Sequence, residues 1–191
     1  MTKKKQIINT QNNVNAQEPS SAEMKKAPEP LWKDLLGLLV KIAIILLVLL
    51  LLFTFVFGIH SHSGNSMSPS VNDRDLLIYY RFDRSFSAGK AVVYEHDGEI
   101  LVGRIIAVEG DTVDVTEEGL KINGYLQQNH KSVGETLAFE NGISYPLKIQ
   151  QGEVFILGDN RQQSADSRLF GTVSESSIKG SVITVIRRRD I

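Results

Sequence analysis

The chain has 191 residues, no cysteine and a formal net charge of −1, with 21 Lys and Arg against 22 Asp and Glu. This length allows one domain and an additional segment, and the balanced charge without a basic face argues against a nucleic-acid partner. Without cysteine, the chain needs no disulfide and has no thiolate ligand for a metal.

The first part of the chain changes from polar to apolar. Residues 1–34 are rich in Lys, Gln, Asn, Ser and Pro, a composition that cannot bury a core, so we expect a disordered segment. The run Ile42–Ile59 holds 18 residues without a charge, which is the length a helix needs to cross about 30 Å of hydrocarbon. We therefore predict a transmembrane helix over residues 35–59.

The charges around this apolar run predict its orientation. The first basic residue after it is Arg74, whereas several lysines precede it: Lys3, Lys4, Lys5, Lys25, Lys26 and Lys33. The positive-inside rule then places the N-terminus in the cytoplasm and the main domain outside a cell membrane crossed once. A cleavable signal peptide is the alternative, because small residues follow at Ser61 and Ser63, but the run exceeds the usual 7–15 residues.

Residues 60–191 show the pattern of a mostly β domain of packed, coiled antiparallel sheets. Short runs rich in β-branched and aromatic residues are separated by turn signals such as Asp97-Gly98 and Asn123-Gly124. The predicted strands cover residues 76–80, 90–94, 100–108, 112–116, 120–122, 153–157 and 180–186. Residues 82–88 and 127–145 are predicted loops.

Two polar motifs stand out in this domain. The segment 158–171 directly follows an apolar strand, and its residues Asp159, Arg161, Asp166 and Arg168 lie close enough in sequence to form buried ion pairs around Ser164. The second motif is Gly-Asn-Ser-Met-Ser-Pro-Ser at residues 64–70, shortly after the apolar run. It places Ser66 on a constrained turn, although such a run alone is a weak signal. The neighbouring Met67 and Val71 fit either a membrane-facing rim or a core.

Together, the apolar run and these two motifs resemble the type I signal peptidases of the Gram-positive type, membrane-anchored serine proteases that remove signal peptides. The resemblance extends from about Leu35 to the last strand, and it implies the signal peptidase I fold. It also implies that Ser66 is the nucleophile of a Ser–Lys dyad, in which burial keeps the lysine neutral so that it can act as general base.

The general-base position departs from the family. The family's lysine precedes an arginine on a strand, and in the matching segment 101–111 that arginine is Arg104 while the lysine position holds Gly103. We expect the glycine to leave an empty space. The residues that the resemblance assigns to a supporting role are all present: Ser164, Asp166, Arg168, Asp159 and Arg104.

Another residue could replace the missing base. Lys90 lies on the preceding predicted strand, and pairing through a turn near residue 97 would place it roughly opposite Arg104. The histidines His60 and His62 are close to Ser66 in sequence, but we expect them to point toward lipid headgroups. Neither they nor His96 and His130 form a metal-binding pattern, so we predict no metal and no cofactor.

The sequence therefore predicts a catalytically impaired signal peptidase homologue that binds extended segments of secreted or surface proteins. Family members without the lysine are associated with pilus assembly, which makes a pilin or a sortase an implied partner beside membrane lipid. The alternative is an active signal peptidase that uses Ser66 with a displaced base and cuts after small residues such as alanine. A glycine introduced deliberately at position 103 to trap an inactive enzyme would give the same sequence.

Overall fold

A computed structural model describes residues 31–128 and 132–188 of the protein. Most of the predicted disordered segment 1–34 lies outside the described residues, and so does His130. Contacts within the chain divide it into two compact units, residues 1–42 and 43–191.

The N-terminal apolar run is helical. Helix α1 spans Leu31–Leu51 and continues as one π-helical turn at Leu52–Val56. The stretch Trp32–Val56 has 25 residues and a mean hydropathy of 3.2, so it is long and apolar enough to cross a membrane by length and composition.

The helix ends three residues before the predicted boundary at Ile59. Residues Phe57–Ser61 instead form strand β1, which pairs along its whole length with β2, Leu76–Tyr80. Gly58 makes this pairing possible, because a Cβ there would overlap the ring of Tyr79. Pairing with a distant strand thus overrides the apolar pattern that predicts a longer helix.

The rest of the chain forms two antiparallel sheets. The larger sheet has seven strands in the order β1-β2-β11-β3-β4-β9-β10, and the smaller has four in the order β7-β6-β5-β8. The remaining strands are β3 Ala91–His96, β4 Glu99–Val108, β5 Thr112–Thr116, β6 Gly119–Ile122, β7 Tyr125–Leu126, β8 Leu147–Lys148, β9 Glu153–Leu157, β10 Val173–Ser174 and β11 Ile178–Ile186. A short helix α2, Ser167–Phe170, precedes β10.

Strands β4 and β9 lie in the middle of the hydrophobic core. Side chains alternate along β9, so that Ile156 faces one buried cluster and Leu157 faces another. A third cluster contains Val102 of β4 together with Met67 and Val71, which are core residues and not a membrane-facing rim. The two central strands are therefore covered on both faces.

The prediction of one N-terminal helix followed along the chain by a mostly β domain is confirmed. Each of the seven predicted strands is present within two residues of its predicted bounds. The elements that the sequence analysis missed are β1 and the very short ones: β7, β8, β10 and α2. Two-residue strands have no periodicity to detect, because their pairing depends on partners elsewhere in the chain.

Candidate active site

The two polar motifs meet in the structure. The carbonyl oxygen of Ser66 accepts a hydrogen bond from the backbone N–H of Asn160 at 2.9 Å. Gly158 lies directly against the turn, because a Cβ on it would be 2.5 Å from Ser66 O and would overlap Ser164 Oγ. Only a glycine fits at this contact, and it brings Ser66 and Ser164 to the same side of β9.

Burial of the neighbouring residue positions Ser66. Met67 is fully buried, and the turn is closed by a 3.1 Å hydrogen bond from Ser68 N–H to Asn65 O. Ser66 itself is half-buried, and neither its hydroxyl nor its backbone N–H makes a hydrogen bond within the described part of the chain. Both groups are therefore available to a peptide carbonyl that enters the site.

The loop 158–171 is held by a buried ion pair. Arg168 Nε donates to Asp166 Oδ1 at 2.8 Å and its Nη2 donates to Oδ2 at 3.0 Å, as the sequence predicts. The same carboxylate accepts from the backbone N–H of Gly158 and from that of Arg168, where it caps helix α2. Asp166 thus fixes the glycine that contacts both serines.

A second buried pair joins this loop to β4. Arg104 donates from Nε and Nη2 to the two carboxylate oxygens of Asp159, at 2.7 and 2.6 Å, and from Nη1 to Gly89 O at 2.7 Å. Arg161, which the sequence groups with Asp159, donates instead to Gly158 O at 3.1 Å. Burial lowers the pKa of Arg161 to about 10, so it stays charged at neutral pH.

Gly103 lies on β4 beside the last residue of that strand that pairs with β9. The register between the two strands ends at Arg104 and Leu157, and β4 continues through Gly103 as a partner of β3. A side chain at position 103 would start against Ile156 and Tyr94.

The expected empty space at Gly103 is absent, which corrects the sequence analysis. A Cβ at this position would overlap Ile156 Cγ2 and lie 3.3 Å from Tyr94 Cε1. Both neighbours are almost completely buried. The core has thus closed over the glycine, because close-packed interiors leave few voids.

The ammonium group of Lys90 is bound to residues of another loop. Ala91, and not Lys90, pairs with Arg104. The ammonium group of Lys90 donates to Asp83 Oδ2 at 2.9 Å and to Ser85 O at 2.7 Å, so it fastens the loop 82–88. This ion pair holds the pKa of the Asp83 carboxyl well below its usual range. Lys90 thus lies one residue from the position directly opposite Arg104, as the rough prediction allows, while its side chain binds the loop 82–88.

The placement of His62 is a second correction. Its side chain does not face outward but is only 4% exposed, and its Nε2 has no hydrogen-bond partner. The backbone N–H of His62 donates to Asp75 O at 2.9 Å, which keeps the residue in a tight loop. His60 is half-buried, and burial lowers the pKa of both imidazoles. The alternation His-Ser-His-Ser just before Ser66 was the available sequence signal for this placement.

A cavity of about 290 Å³ connects these histidines with Ser66. Residues 60–63 and Ser66 line one side, and residues 99–102 of β4 line the other. This half of β4 pairs with β3 on one side only, because the pairing with β9 begins at Arg104. An unpaired strand edge beside a serine is suited to an extended peptide that adds as a further strand.

Within residues 31–128 and 132–188, no group of three or more His, Cys, Asp or Glu side chains is arranged to hold a metal ion.

The domain thus combines a serine on a core-anchored turn with a free strand edge beside it. The signal peptidase family, peptidase S26, matches residues 35–186. The chain therefore belongs to this family.

Two bacterial relatives agree with that assignment in sequence, and one solved structure is similar to part of the chain. Signal peptidase I of Bacillus licheniformis is 35% identical over 133 residues, covering 62% of this chain and 70% of that protein. Signal peptidase IB of Staphylococcus aureus strain Mu50 is 29% identical over 169 residues, covering 78% and 88%. A crystal structure of a signal peptidase I from Enterococcus faecalis V583 matches with a TM-score of 0.42 at 26% identity, covering 52% of this chain and 97% of that one.

Proposed function

We propose that this protein binds extended segments of secreted or surface proteins beside Ser66 and has at most very weak peptidase activity. Its role is then binding or assembly, for example of pili. The observation that carries the proposal is the closed position at Gly103, where Ile156 fills the start of the path that a lysine side chain would take.

The chemical reason is the lack of a base. A serine hydroxyl needs a base to remove its proton before it can attack a peptide bond. Loss of one member of a catalytic unit costs up to about a million-fold in turnover. Lys90, the residue before β3, is bound to Asp83 and Ser85. Peptide binding needs no base, since it relies on the strand edge at residues 99–102.

The family name gives the class of partner, which is a secreted protein that carries a signal peptide. The apolar helix Trp32–Val56 anchors the protein in a cell membrane. The lysines before it place the N-terminus in the cytoplasm and the β domain outside. Extended segments of exported proteins then reach the cavity beside Ser66 on the outer side of the membrane. A pilin or a sortase belongs to the same group of partners.

A second candidate function is signal-peptide cleavage by Ser66 with a displaced base. The cavity that His62 shares with Ser66 favours it. Because burial lowers the pKa of His62, the ring is mostly neutral at neutral pH and can accept a proton. In that reaction the Ser66 proton passes to the imidazole as the hydroxyl oxygen attacks the peptide carbonyl, and it is then given to the leaving amine.

A combined binding and cleavage experiment tests the proposal. The full chain in detergent is mixed with a fluorescent precursor that carries a signal peptide, and both anisotropy and product formation are followed. We expect wild type and Ser66→Ala to bind equally well and to form no measurable product. Ser63→Trp should abolish binding because it fills the cavity, whereas Ser87→Trp, an exposed serine in the loop 82–88, should not.

Two results would contradict the proposal. Cleavage by wild type that is lost in Ser66→Ala would establish a displaced base, and its loss in His62→Phe as well would assign that base to His62. Absence of binding to every precursor would remove the binding role itself.

A further inference from the structure

Three arginines surround a second cavity, at the end of strand β11. This cavity of about 510 Å³ lies between Arg74, Arg187 and Arg188, and two aspartates and two asparagines complete its lining. Arg74 belongs to the loop 64–75 that carries Ser66, whereas the other two arginines directly follow β11, far along the chain. The fold therefore gathers positive charges that the sequence keeps apart.

Hydrogen bonds hold the arginines at the cavity, while their side chains stay accessible. Arg187 Nη2 donates to Pro69 O in the loop 64–75 at 3.5 Å. The backbone N–H of Arg188 donates to Asp75 Oδ1 at 3.2 Å. Both arginines are exposed, and the side chain of Arg74 is 68% exposed. A ligand that enters the cavity can thus reach the guanidinium groups themselves.

The charges of the lining favour an anion. Asp75 is buried, and its carboxylate accepts two backbone N–H groups. The carboxylate of Asp73 lies 3.5 Å from Arg74 Nε. Within residues 31–128 and 132–188, the side chains of Arg187 and Arg188 form no ion pair. Three positive charges thus stand against two negative ones, and two guanidinium groups are left for a ligand.

Arg74 adopts a backbone conformation that arginine rarely takes. Its φ is 63°, and the other described non-glycine residues with a positive φ are Asp97 and Asn123. Aspartate and asparagine tolerate this left-handed region through local hydrogen bonds, whereas a long cationic side chain does not. The chain thus carries a positive charge here at a cost in stability, which favours a role in binding.

An exposed apolar surface adjoins the cavity. Leu76 of β2 and Ile186 of β11 are direct partners, and each lies one residue from the cavity lining. They are 42% and 50% exposed. On the same face of β2, Tyr80 lies opposite Phe57, where the chain leaves the apolar helix. A cationic cavity bordered by apolar side chains that lead back to this helix fits the boundary between lipid headgroups and acyl chains.

We propose that this cavity binds the phosphate of an anionic phospholipid headgroup, with Leu76 and Ile186 against the acyl chains. Guanidinium groups suit phosphate because they donate paired hydrogen bonds to its oxygens. The inference rests on the proposed function only for the membrane anchor, and not on peptide binding or on the lack of a base. The bound lipid joins the loop 64–75, and with it Ser66, to the membrane surface.

Native mass spectrometry of the full chain in a neutral detergent tests the site. The protein is titrated with anionic phosphatidylglycerol or with zwitterionic phosphatidylcholine that has the same acyl chains. We expect phosphatidylglycerol to bind about tenfold more tightly, and this advantage should shrink as the ionic strength rises. Glycerophosphoglycerol, the same headgroup without acyl chains, should not displace the lipid at equal concentration.

Arginine variants assign the preference to the cavity. Arg187→Gln/Arg188→Gln should reduce the advantage of phosphatidylglycerol to less than about threefold. Lys121→Gln/Lys148→Gln is the matched control, because it removes two positive charges from the smaller sheet and should leave the advantage unchanged. Arg74→Gly should weaken phosphatidylglycerol binding without lowering the melting temperature, because glycine adopts a positive φ without strain. Binding that falls while stability does not would exclude misfolding as the cause.

The outcomes separate this inference from the proposed function. Equal binding of the two lipids by wild type would overturn the site, and so would an advantage that the double arginine variant keeps or that the control also loses. Displacement by glycerophosphoglycerol would overturn the lipid in favour of a soluble phosphate ester. Flotation of the full chain with phosphatidylcholine vesicles tests the anchor. If the chain floats, a failed preference leaves the proposed function intact, and if it does not float, the anchor and the lipid site are both wrong.

Discussion

At the scale of single residues, two glycines determine what the site can do. Gly158 is required by the contact with Ser66 and Ser164, which leaves no room for a side chain. At Gly103, Ile156 and Tyr94 occupy the space that a side chain would need. The core is thus adapted to a glycine at this position, and a lysine introduced there alone would overlap Ile156.

A double-mutant cycle tests this adaptation. Gly103→Lys should destabilise the fold by about 1–3 kcal/mol, because its Cβ overlaps Ile156. Ile156→Ala should lower the free energy of unfolding by about 2–5 kcal/mol, because it leaves a cavity. The double variant should lose less stability than the sum of the two single variants, since the lysine stem fills that cavity. Denaturant unfolding measures the stability of all three variants.

The same double variant reports on catalysis. If a lysine at position 103 supplies a general base, we expect precursor cleavage that disappears when Ser66→Ala is added. Additive losses of stability, or a Gly103→Lys single variant as stable as wild type, would contradict the closed packing seen at position 103.

At the scale of elements, β4 joins the parts of the site. Its first half, residues 99–102, has one free edge beside the cavity at Ser66, and its middle carries Gly103. Arg104 joins the strand to the loop 158–171 through its ion pair with Asp159. Because Asn160 follows Asp159 and holds the carbonyl of Ser66, the pair links the groove edge to the serine turn.

Breaking the Arg104–Asp159 ion pair should lower the free energy of unfolding much more than breaking a surface ion pair. Asp159→Asn leaves the Arg104 charge buried without a counter-charge, so we expect a loss of about 3–5 kcal/mol. Glu95→Gln, which removes the more exposed pair with Lys179, should change stability by less than about 1 kcal/mol. Urea unfolding of the two variants measures the difference, and equal effects would show that the Arg104–Asp159 pair is not the stronger link.

At the scale of the whole molecule, stability should depend on pH through the buried imidazoles. Burial lowers the pKa of His60 and His62 in the folded state below the ordinary value of 6.5. Just below that value the unfolded chain binds more protons than the folded one, so stability falls as the pH falls. Asp83, whose folded pKa is also lowered, contributes stability that is present above about pH 4 and is lost in more acidic solution.

The prediction is a lower melting temperature at about pH 5 than at about pH 7.5, a window in which ordinary carboxyl groups remain ionised. His62→Phe should reduce this difference, because the variant has no buried ring to protonate at that position. Calorimetry of the full chain in detergent measures both proteins at both pH values. A dependence on pH that is unchanged in His62→Phe would show that His62 does not cause it.

Much of this protein could be predicted from the sequence because its signals are local. The charge-free run predicts the helix, and alternating strands with glycine turns predict the β domain. Asp166 and Arg168 form their predicted pair because two residues in one loop can meet without help from the rest of the chain. The assignment of Ser66 as nucleophile and of position 103 as that of the lost lysine stays a prediction.

What remained undecided depended on contacts between distant residues. The sequence alone determined that position 66 holds a serine and position 103 a glycine. Only the tertiary structure decided that Ile156 closes the space at Gly103, that Lys90 is bound to Asp83, and that His62 is buried. The physical reason is that packing and strand register bring together residues far apart in the chain, and a shift of one residue reverses the direction of each side chain.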